Sequence, residues 1–292
     1  MSNTNNKADN LAISPINTTD ISAVADFLHK NMNSRFSAEE WAQGLNACWL
    51  ENAPNHGFML RDNHQVVGVI CAIYSVQKVN GSEEYFCNPH TWCVLEEYRS
   101  KSVPLVLAVI RQQGYHFTMF SPNKDGEKIF SYLGFLPLSR AKVILPHIPS
   151  LKFFHRSDVF DKHGISPEWL PIDIAKCYQD HQAYPWLEMF AFRSEDDFCL
   201  VIYKATKYKK LPCANVTYIS NKPLFEKCWG AIKNHLLFKH GTCCTRVDQR
   251  FLTQQPKLSF LTVDGPARFY LSSTVEPSAV EYIYSELTAM NL

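Results

Sequence analysis

The chain has 292 residues, of which 46% are apolar, and its 29 basic and 28 acidic residues leave a net charge of +1. This length suits one large domain or two of ordinary size, with enough apolar material for a core. Near-neutral charge without a basic stretch argues against a nucleic-acid partner. No apolar run approaches the roughly 18 residues of a membrane-spanning helix, so we expect no membrane partner. Residues 1–10 are polar, lack a secretory signal and predict a disordered lead.

The ten cysteines indicate a reducing compartment. No pair has the C-x-x-C spacing of zinc knuckles or thioredoxins, and most lie inside apolar stretches. Free cysteine commonly behaves as a small buried apolar residue. We therefore predict free thiols, a cytoplasmic location and no bound metal.

Alternation and helical spacing define the elements of the first half. Residues 11–17 predict a strand, a helix starts at Ile21, and a second helix follows the cap Ser37. Three strands come next over residues 56–95. Turns at Asp62-Asn63 and Asn80-Gly81 connect these three strands. The elements predicted after them are a helix at 102–113, a strand at 116–121, a short helix ending at Gly134, and a last strand at 136–145. This order predicts an α+β fold with a mixed central sheet and helices on both faces.

The second half shows a similar order of patterns after a break at Pro146–Pro149. A hairpin over residues 198–220 precedes a helix at 224–240 and a strand at 242–247. The similarity leaves two interpretations open: a diverged copy of the first fold, or the common result of a strand that feeds a helix. The predicted domains are 11–148 and 149–292.

One stretch, "WCVLEEYRSKSVPLVLAVIRQQG", has the layout of an anion site, with a strand, a polar turn and a helix start. Backbone N–H groups at a helix N-terminus bind phosphate. Ser102 is the predicted N-cap, and Pro104 lies in the first turn. The predicted phosphate contacts combine these N–H groups with basic and hydroxyl side chains, at Arg99, Ser100, Lys101, Ser102, Val103 and Leu105.

The element order, this turn and the segment "NKDGEKIFSYLGF" resemble the GCN5-related N-acyltransferases, or GNAT family, over about residues 11–145. The resemblance implies acetyl-CoA or another acyl-CoA as co-substrate, no metal, and transfer to an amine of a small molecule by a monomer or homodimer. "WCVLEEYRSKS" also resembles a subgroup associated with bacterial polysaccharide and amino-sugar gene clusters, which implies an amino-sugar acceptor.

Site residues follow from the resemblance. Cys93, Val94 and Leu95 would bind the pantetheine arm through their backbone, and Asn123 would touch the same arm. Strand alternation places Asn88, His90, Trp92 and Val94 on one face. His90 is the titratable residue among them and the predicted base, with a packed strand residue as the alternative. Asn88 and Trp92 would line the acceptor pocket.

The sequence also departs from the family pattern at three positions. Ser102 and Pro104 occupy the glycine positions of the turn, and proline has no N–H to donate. Phe130 occupies the position of the tyrosine that protonates the thiolate in many relatives, and Tyr132 lies on another side of the helix. A non-catalytic CoA sensor or scaffold is therefore the alternative function.

Two polar segments lie outside this pattern. "HRSDVFDKHG" groups His155, Asp158, Asp161 and His163, but its spacing fits no known metal site and we interpret it as a polar loop between domains. "YKATKYKK" mixes tyrosine with lysine and is interpreted as a solvated hairpin turn.

Overall fold

The computed structural model describes residues 11–149, 158–194 and 197–291. The predicted lead at 1–10 and His155 lie outside these residues. The strands are β1 Leu11–Pro15, β2 Gly57–Asp62, β3 Gln65–Val79, β4 Ser82–Val94, β5 His116–Met119, β6 Leu136–Leu138, β7 Ala141–Pro146, β8 Asp158–Asp161, β9 Glu188–Ser194, β10 Asp197–Tyr208, β11 Leu211–Ile219, β12 Cys244–Asp248, β13 Phe260–Val263 and β14 Arg268–Leu271. The α-helices are α1 Ile21–Asn31, α2 Ala38–Leu45, α3 Ser102–Ile110, α4 Lys124–Tyr132, α5 Ile172–His181, α6 Lys222–Lys227, α7 Trp229–Phe238 and α8 Glu286–Ala289. Among the described helices, none has the length and apolar character needed to cross a bilayer.

Local signals fixed several of these elements as predicted. Ser37 caps α2 by accepting a hydrogen bond from the Glu40 N–H, and the Glu40 carboxylate accepts one from the Ser37 N–H at 2.8 Å. The Asn80-Gly81 turn has the positive φ angles of 50° and 88° that a tight hairpin requires. All ten cysteines are free thiols, as predicted.

The strands form two seven-stranded sheets with the same succession of directions. The first has the order β1-β2-β3-β4-β5-β14-β6 and the second β8-β9-β10-β11-β12-β7-β13. In each sheet one pair is parallel, β4 with β5 and β11 with β12, and the other pairs are antiparallel. The predicted α+β class with mixed sheets is confirmed.

The prediction of one strand at 136–145 is wrong, because the chain passes from the first sheet to the second within this segment. Leu136–Leu138 pairs with β14 in the first sheet, whereas Ala141–Pro146 pairs with β12 and β13 in the second. Ser139-Arg140 separates the two strands, and an apolar pattern on both sides hides this break in the sequence.

The compact units consequently differ from the predicted domains. The first unit comprises the described residues up to Leu138 together with Ala267–Val280 and Tyr284–Met290. The second comprises Ser139–Pro266, Glu281–Ile283 and Asn291. The reason is strand pairing, since β14 inserts between β5 and β6 of the first sheet. A single cut near residue 148 cannot describe this arrangement.

Each face of the first sheet carries its own apolar core. Cys71 and Ile73 pack with α1 and α2 on one face, and Ile70 and Tyr74 pack with α3 and α4 on the other. Burying such side chains stabilises the fold by about 1.5–3 kcal/mol each. The two cores hold β4, the strand that carries most of the predicted site, between layers of helices.

Gly57 tests the packing at the start of β2. Its φ is +111°, and a Cβ there would lie 2.2 Å from the Ile70 carbonyl oxygen on the neighbouring strand. Gly114 has a φ of +84° with nothing within 4 Å of a Cβ. Gly114→Ala should therefore cost only the left-handed strain of about 1–2 kcal/mol. Gly57→Ala should lower the free energy of unfolding in urea by clearly more, and equal losses would contradict this packing.

Candidate active site

The central feature of the first sheet is the parting of β4 from β5. Only two residue pairs join these parallel strands, Phe86 with His116 and Cys87 with Phe117. From Asn88 to Val94, β4 continues along β3 but no longer pairs with β5. An unpaired strand edge can bind an extended ligand through its backbone. We refer to this part of the first sheet as the β4–β5 opening.

A bulge at Thr91 divides the predicted face of β4. His90 pairs with Cys71 and Trp92 pairs with Ile70, so Thr91 is the extra residue, with a φ of 50°. Asn88 and His90 thus share the face of Cys71, whereas Trp92 and Val94 pack with Ile70 on the opposite face. The prediction of a single face for Asn88, His90, Trp92 and Val94 is wrong, because the bulge inverts the alternation.

Hydrogen bonds to β3 determine which backbone groups of Cys93, Val94 and Leu95 remain available at the opening. The Leu95 N–H donates to the Val67 carbonyl at 3.0 Å, so it is already used within the sheet. Alternation along an antiparallel ladder then directs the Val94 backbone away from β3, towards the opening. Of the three predicted pantetheine contacts, Val94 is the one whose orientation fits. Burial raises the pKa of the Cys93 thiol, which disfavours a thiolate acyl carrier.

The predicted polar turn is a 3-10 helix, Glu96–Lys101, which leads directly into α3. The N-cap of α3 is Lys101, without a side-chain capping bond, and Ser102 is already helical, with φ −61° and ψ −50°. Its N–H donates to the Arg99 carbonyl. The prediction of Ser102 as N-cap is therefore wrong, and its N–H is not a free phosphate donor.

Positive charge remains exposed at the start of α3. Arg99, Ser100 and Lys101 lie on the surface, and Arg99 forms an exposed ion pair with Glu96 at 3.7 Å. Val103 is also exposed, but Leu105 is fully buried. An anion can thus approach the two basic side chains, whereas the predicted contact at Leu105 could only involve its backbone.

His90 is buried in the first unit. Its side chain is 2% exposed, and burial lowers its pKa to about 3. Its Nδ1 lies 2.7 Å from the Thr91 hydroxyl. Such a histidine is neutral at pH 7, but its low pKa makes it a weak acceptor for a proton from an amine.

Glu286 is a carboxyl group that sequence reasoning missed. Its N–H donates to the Asn88 side-chain oxygen at 3.0 Å, and its Oε1 accepts from the Ser121 hydroxyl at 2.7 Å. It therefore contacts β4 at the point of parting and the segment just after β5. Burial raises the pKa of this carboxyl, and Oε2 has no hydrogen-bond partner among the described residues. A buried carboxylate with a raised pKa is a typical general base.

Aromatic rings line the opposite face of the opening. The Trp92 ring contacts Phe130 edge-on at 6.0 Å, and the Trp92 Nε1 is buried without a hydrogen-bond partner in the described part of the chain. Phe130 is 1% exposed, whereas Tyr132 is 89% exposed. Tyr132 thus does not take the place of the missing tyrosine. Asn123 caps α4, with its side-chain oxygen accepting from the Gly126 N–H at 2.8 Å.

Comparison with solved structures of other proteins identifies the fold of this chain. One match is a GCN5-related N-acetyltransferase from Anabaena variabilis, at 11% identity and a TM-score of 0.61, covering 89% of this chain and 72% of that chain. Another, from Kribbella flavida, has 13% identity and a TM-score of 0.56, covering 90% and 71%. The chain has the GCN5-related N-acetyltransferase fold.

A third structural match is to one region of a longer, multi-domain enzyme. It is a glucosamine N-acetyltransferase region of a fungal multi-domain β-N-acetylglucosaminidase, at 13% identity and a TM-score of 0.50, covering 89% of this chain and 38% of that chain. No family model matches the sequence, and no curated protein matches it.

The burial of His90 predicts a pH dependence of stability. Its folded pKa lies below its ordinary value of 6.5, so its contribution is complete above pH 6.5 and is lost as the pH falls towards about 3. One proton corresponds to about 1.4 kcal/mol per pH unit. His90→Asn should reduce the slope of unfolding free energy against pH between 6 and 4 by up to this amount, measured by urea unfolding.

The control for this measurement is His163→Asn at an exposed position. An unchanged acid slope in His90→Asn, relative to the wild type and this control, would contradict the buried neutral state of His90.

Proposed function

We propose that this protein transfers an acyl group from acyl-CoA to an amine of a small molecule. The observation that carries the proposal is the β4–β5 opening, with a free strand edge beside a cationic helix start. In the GCN5-related fold such an opening suits an extended thioester ligand with a charged end. The buried carboxyl of Glu286 supplies a proton acceptor at the same place.

The pyrophosphate of CoA would bind at the start of α3. Arg99 and Lys101 would supply charge, Ser100 a hydroxyl donor, and Val103 a backbone N–H. The pantetheine arm would run along β4, with hydrogen bonds to the backbone of Val94. Because Pro104 and the paired N–H of Ser102 remove two donors, we expect the basic side chains to carry most of the phosphate affinity.

Glu286 would act as the general base and Ser121 as the relay. The amine nitrogen attacks the thioester carbonyl carbon, a C–N bond forms, and the C–S bond breaks to release CoA thiolate. The amine proton passes to the Ser121 hydroxyl oxygen as that hydroxyl gives its own proton to the Glu286 Oε1, which it contacts at 2.7 Å. This assignment replaces the predicted base His90, whose pKa is too low for the task.

The acceptor that we propose is an amino sugar. Its support is the resemblance of the "WCVLEEYRSKS" stretch and the fold shared with a glucosamine N-acetyltransferase region. Glucosamine is therefore the first acceptor to assay, with a primary alkylamine such as spermidine as the alternative amine.

A second candidate function is a CoA-binding sensor without turnover. It is favoured by Phe130, which is buried between Trp92 and Phe135 and cannot donate a proton to the leaving thiolate. A thiol with a pKa of about 8.5 leaves without assistance more readily than an alkoxide, so the missing acid does not prevent catalysis. Binding without turnover on either amine would favour the sensor.

Charge reversal tests the CoA site. Arg99→Glu combined with Ser102→Asp places two negative charges at the expected pyrophosphate position. Each charge-assisted contact is worth about 1.5–3 kcal/mol, so acetyl-CoA should bind at least about 100-fold more weakly in isothermal titration calorimetry. Arg111→Glu, at the opposite end of α3, is the control and should bind normally. Equal affinity in all three proteins would contradict the site.

Glu286→Gln tests the base. Proton acceptance contributes typically about 100- to 10,000-fold, so kcat should fall by about that factor while acetyl-CoA still binds. The folded pKa is raised, so ionisation costs stability as the pH rises, and the neutral amide should leave the stability at pH 7 unchanged or higher. The rising acid limb of kcat/KM in the wild type, which needs the carboxylate, should disappear in the variant.

Ser121→Ala provides the second arm of this test. It should lower kcat by a smaller factor, because water can replace the relay. Full activity of Glu286→Gln with an unchanged pH profile would show that Glu286 is not the base.

A further inference from the structure

Three side chains of the second unit converge outside the proposed acyl-transfer site. Asp161 ends β8, His235 lies in the last turn of α7, and His240 follows that helix. The Asp161 Oδ1 is 2.9 Å from the His235 Nε2 and 3.1 Å from the His240 Nε2, and the two Nε2 atoms are 3.2 Å apart. All three residues are half-buried.

Hydrogen bonds alone do not satisfy this triangle. Two neutral imidazoles bring at most two protons at these nitrogens, and three close contacts need to be filled. If both rings donate to Oδ1, the two Nε2 atoms lie 3.2 Å apart with no proton between them. If both rings are protonated further, two positive charges lie side by side. A cation accepts lone pairs from all three atoms at once.

The three interatomic distances match the ligand–ligand distances around a tetrahedral metal ion. Zinc binds histidine nitrogen and carboxylate oxygen at about 2.0–2.2 Å, so neighbouring ligands of a tetrahedral ion are separated by about 3.3 Å. The three contacts of 2.9, 3.1 and 3.2 Å are close to this edge length. We propose that Asp161, His235 and His240 bind one divalent transition-metal ion, for which zinc is the reference.

The surroundings define how the ion would be held. Lys239 pairs with the other Asp161 oxygen, Oδ2, which leaves Oδ1 for the ion but brings a positive charge near it. The His235 ring packs on Phe190 with 5.6 Å between centroids, and the His240 ring meets Tyr203 edge-on at 6.1 Å. The Tyr203 hydroxyl is buried without a hydrogen-bond partner among the described residues. Three protein ligands leave a fourth position open to water.

The ion would connect the edge strand β8 to the C-terminal end of α7. This proposal departs from the absence of metal expected from the sequence. That expectation grouped Asp161 with its chain neighbours, whereas its partners here lie 74 and 79 positions away along the chain. His235 and His240 come together because the helix ends between them.

Cobalt(II) is the probe for the test, added to full-length, chelator-treated protein. The expected result is one equivalent bound with micromolar affinity or tighter, and visible absorption typical of tetrahedral nitrogen and oxygen ligands. His240→Gln should weaken binding at least about 100-fold, because even outer-shell partners are worth 10- to 100-fold. Lys239→Gln should tighten it several-fold by removing the nearby positive charge. Zinc should displace the cobalt and raise the melting temperature of the wild type.

His163→Gln, an exposed histidine of the same unit, is the matched control and should bind as the wild type does. Near-ultraviolet thiolate-to-cobalt absorption would reveal binding by cysteines. No binding to the wild type at micromolar concentrations would overturn the proposal. Cobalt bound with thiolate absorption and equal affinity in His240→Gln would overturn it as well. Circular dichroism is used to verify that each protein is folded before its cobalt binding is interpreted.

Discussion

The proposed acyl-CoA site depends on the end of pairing between β4 and β5 after Cys87. Buried backbone groups without partners cost about 1–3 kcal/mol each, so a free strand edge persists only where other groups or a ligand replace the lost bonds. Asn88 supplies part of this replacement, because its amide donates to the Thr118 carbonyl at 3.1 Å and so ties β4 to β5 at the point of parting. Beyond Asn88, the bulge at Thr91 turns the strand and separates its two chemical surfaces, with the buried imidazole on one face and the aromatic Trp92 on the other.

Two segments from the C-terminal part of the chain, Ala267–Val280 and Tyr284–Met290, belong to the first unit. β14 fills the position between β5 and β6. Ala289 and Met290 then pack in the apolar core with Cys71 and Ile73, on the face of the sheet that carries Asn88. The contacts of this second segment are specific, since Asn88 accepts from the Glu286 N–H and the Thr91 hydroxyl lies 3.9 Å from the Met290 sulfur. The same segment that closes the fold thus brings a buried carboxyl to the opening. Stability and the proposed catalysis are therefore coupled at Glu286, whose ionisation burial opposes.

Local signals in the sequence were sufficient where the partners are close in the chain. Ser37 and Glu40 predict their own capping box, and Asn80-Gly81 predicts its own hairpin, because the interacting groups lie within three residues. The inverted alternation at Thr91 was not predictable, since one inserted residue leaves no compositional trace. Glu286 lies 198 positions from Asn88, and Asp161 is 74 positions from His235, so no local pattern indicates either contact. The strands β13 and β14 are short and irregular in pattern, and only the folded sheet assigns them.

Hydrogen–deuterium exchange of the full chain with and without acetyl-CoA tests the central claim most directly. If the β4–β5 opening is the CoA site, peptides that cover Asn88–Val94 and the start of α3 should gain protection, because the ligand occupies their backbone groups. Peptides that cover β10 and the start of β11 in the second sheet should exchange as before. Protection confined to the second sheet, or none at saturating acetyl-CoA, would contradict the assignment of the β4–β5 opening as the acyl-CoA site.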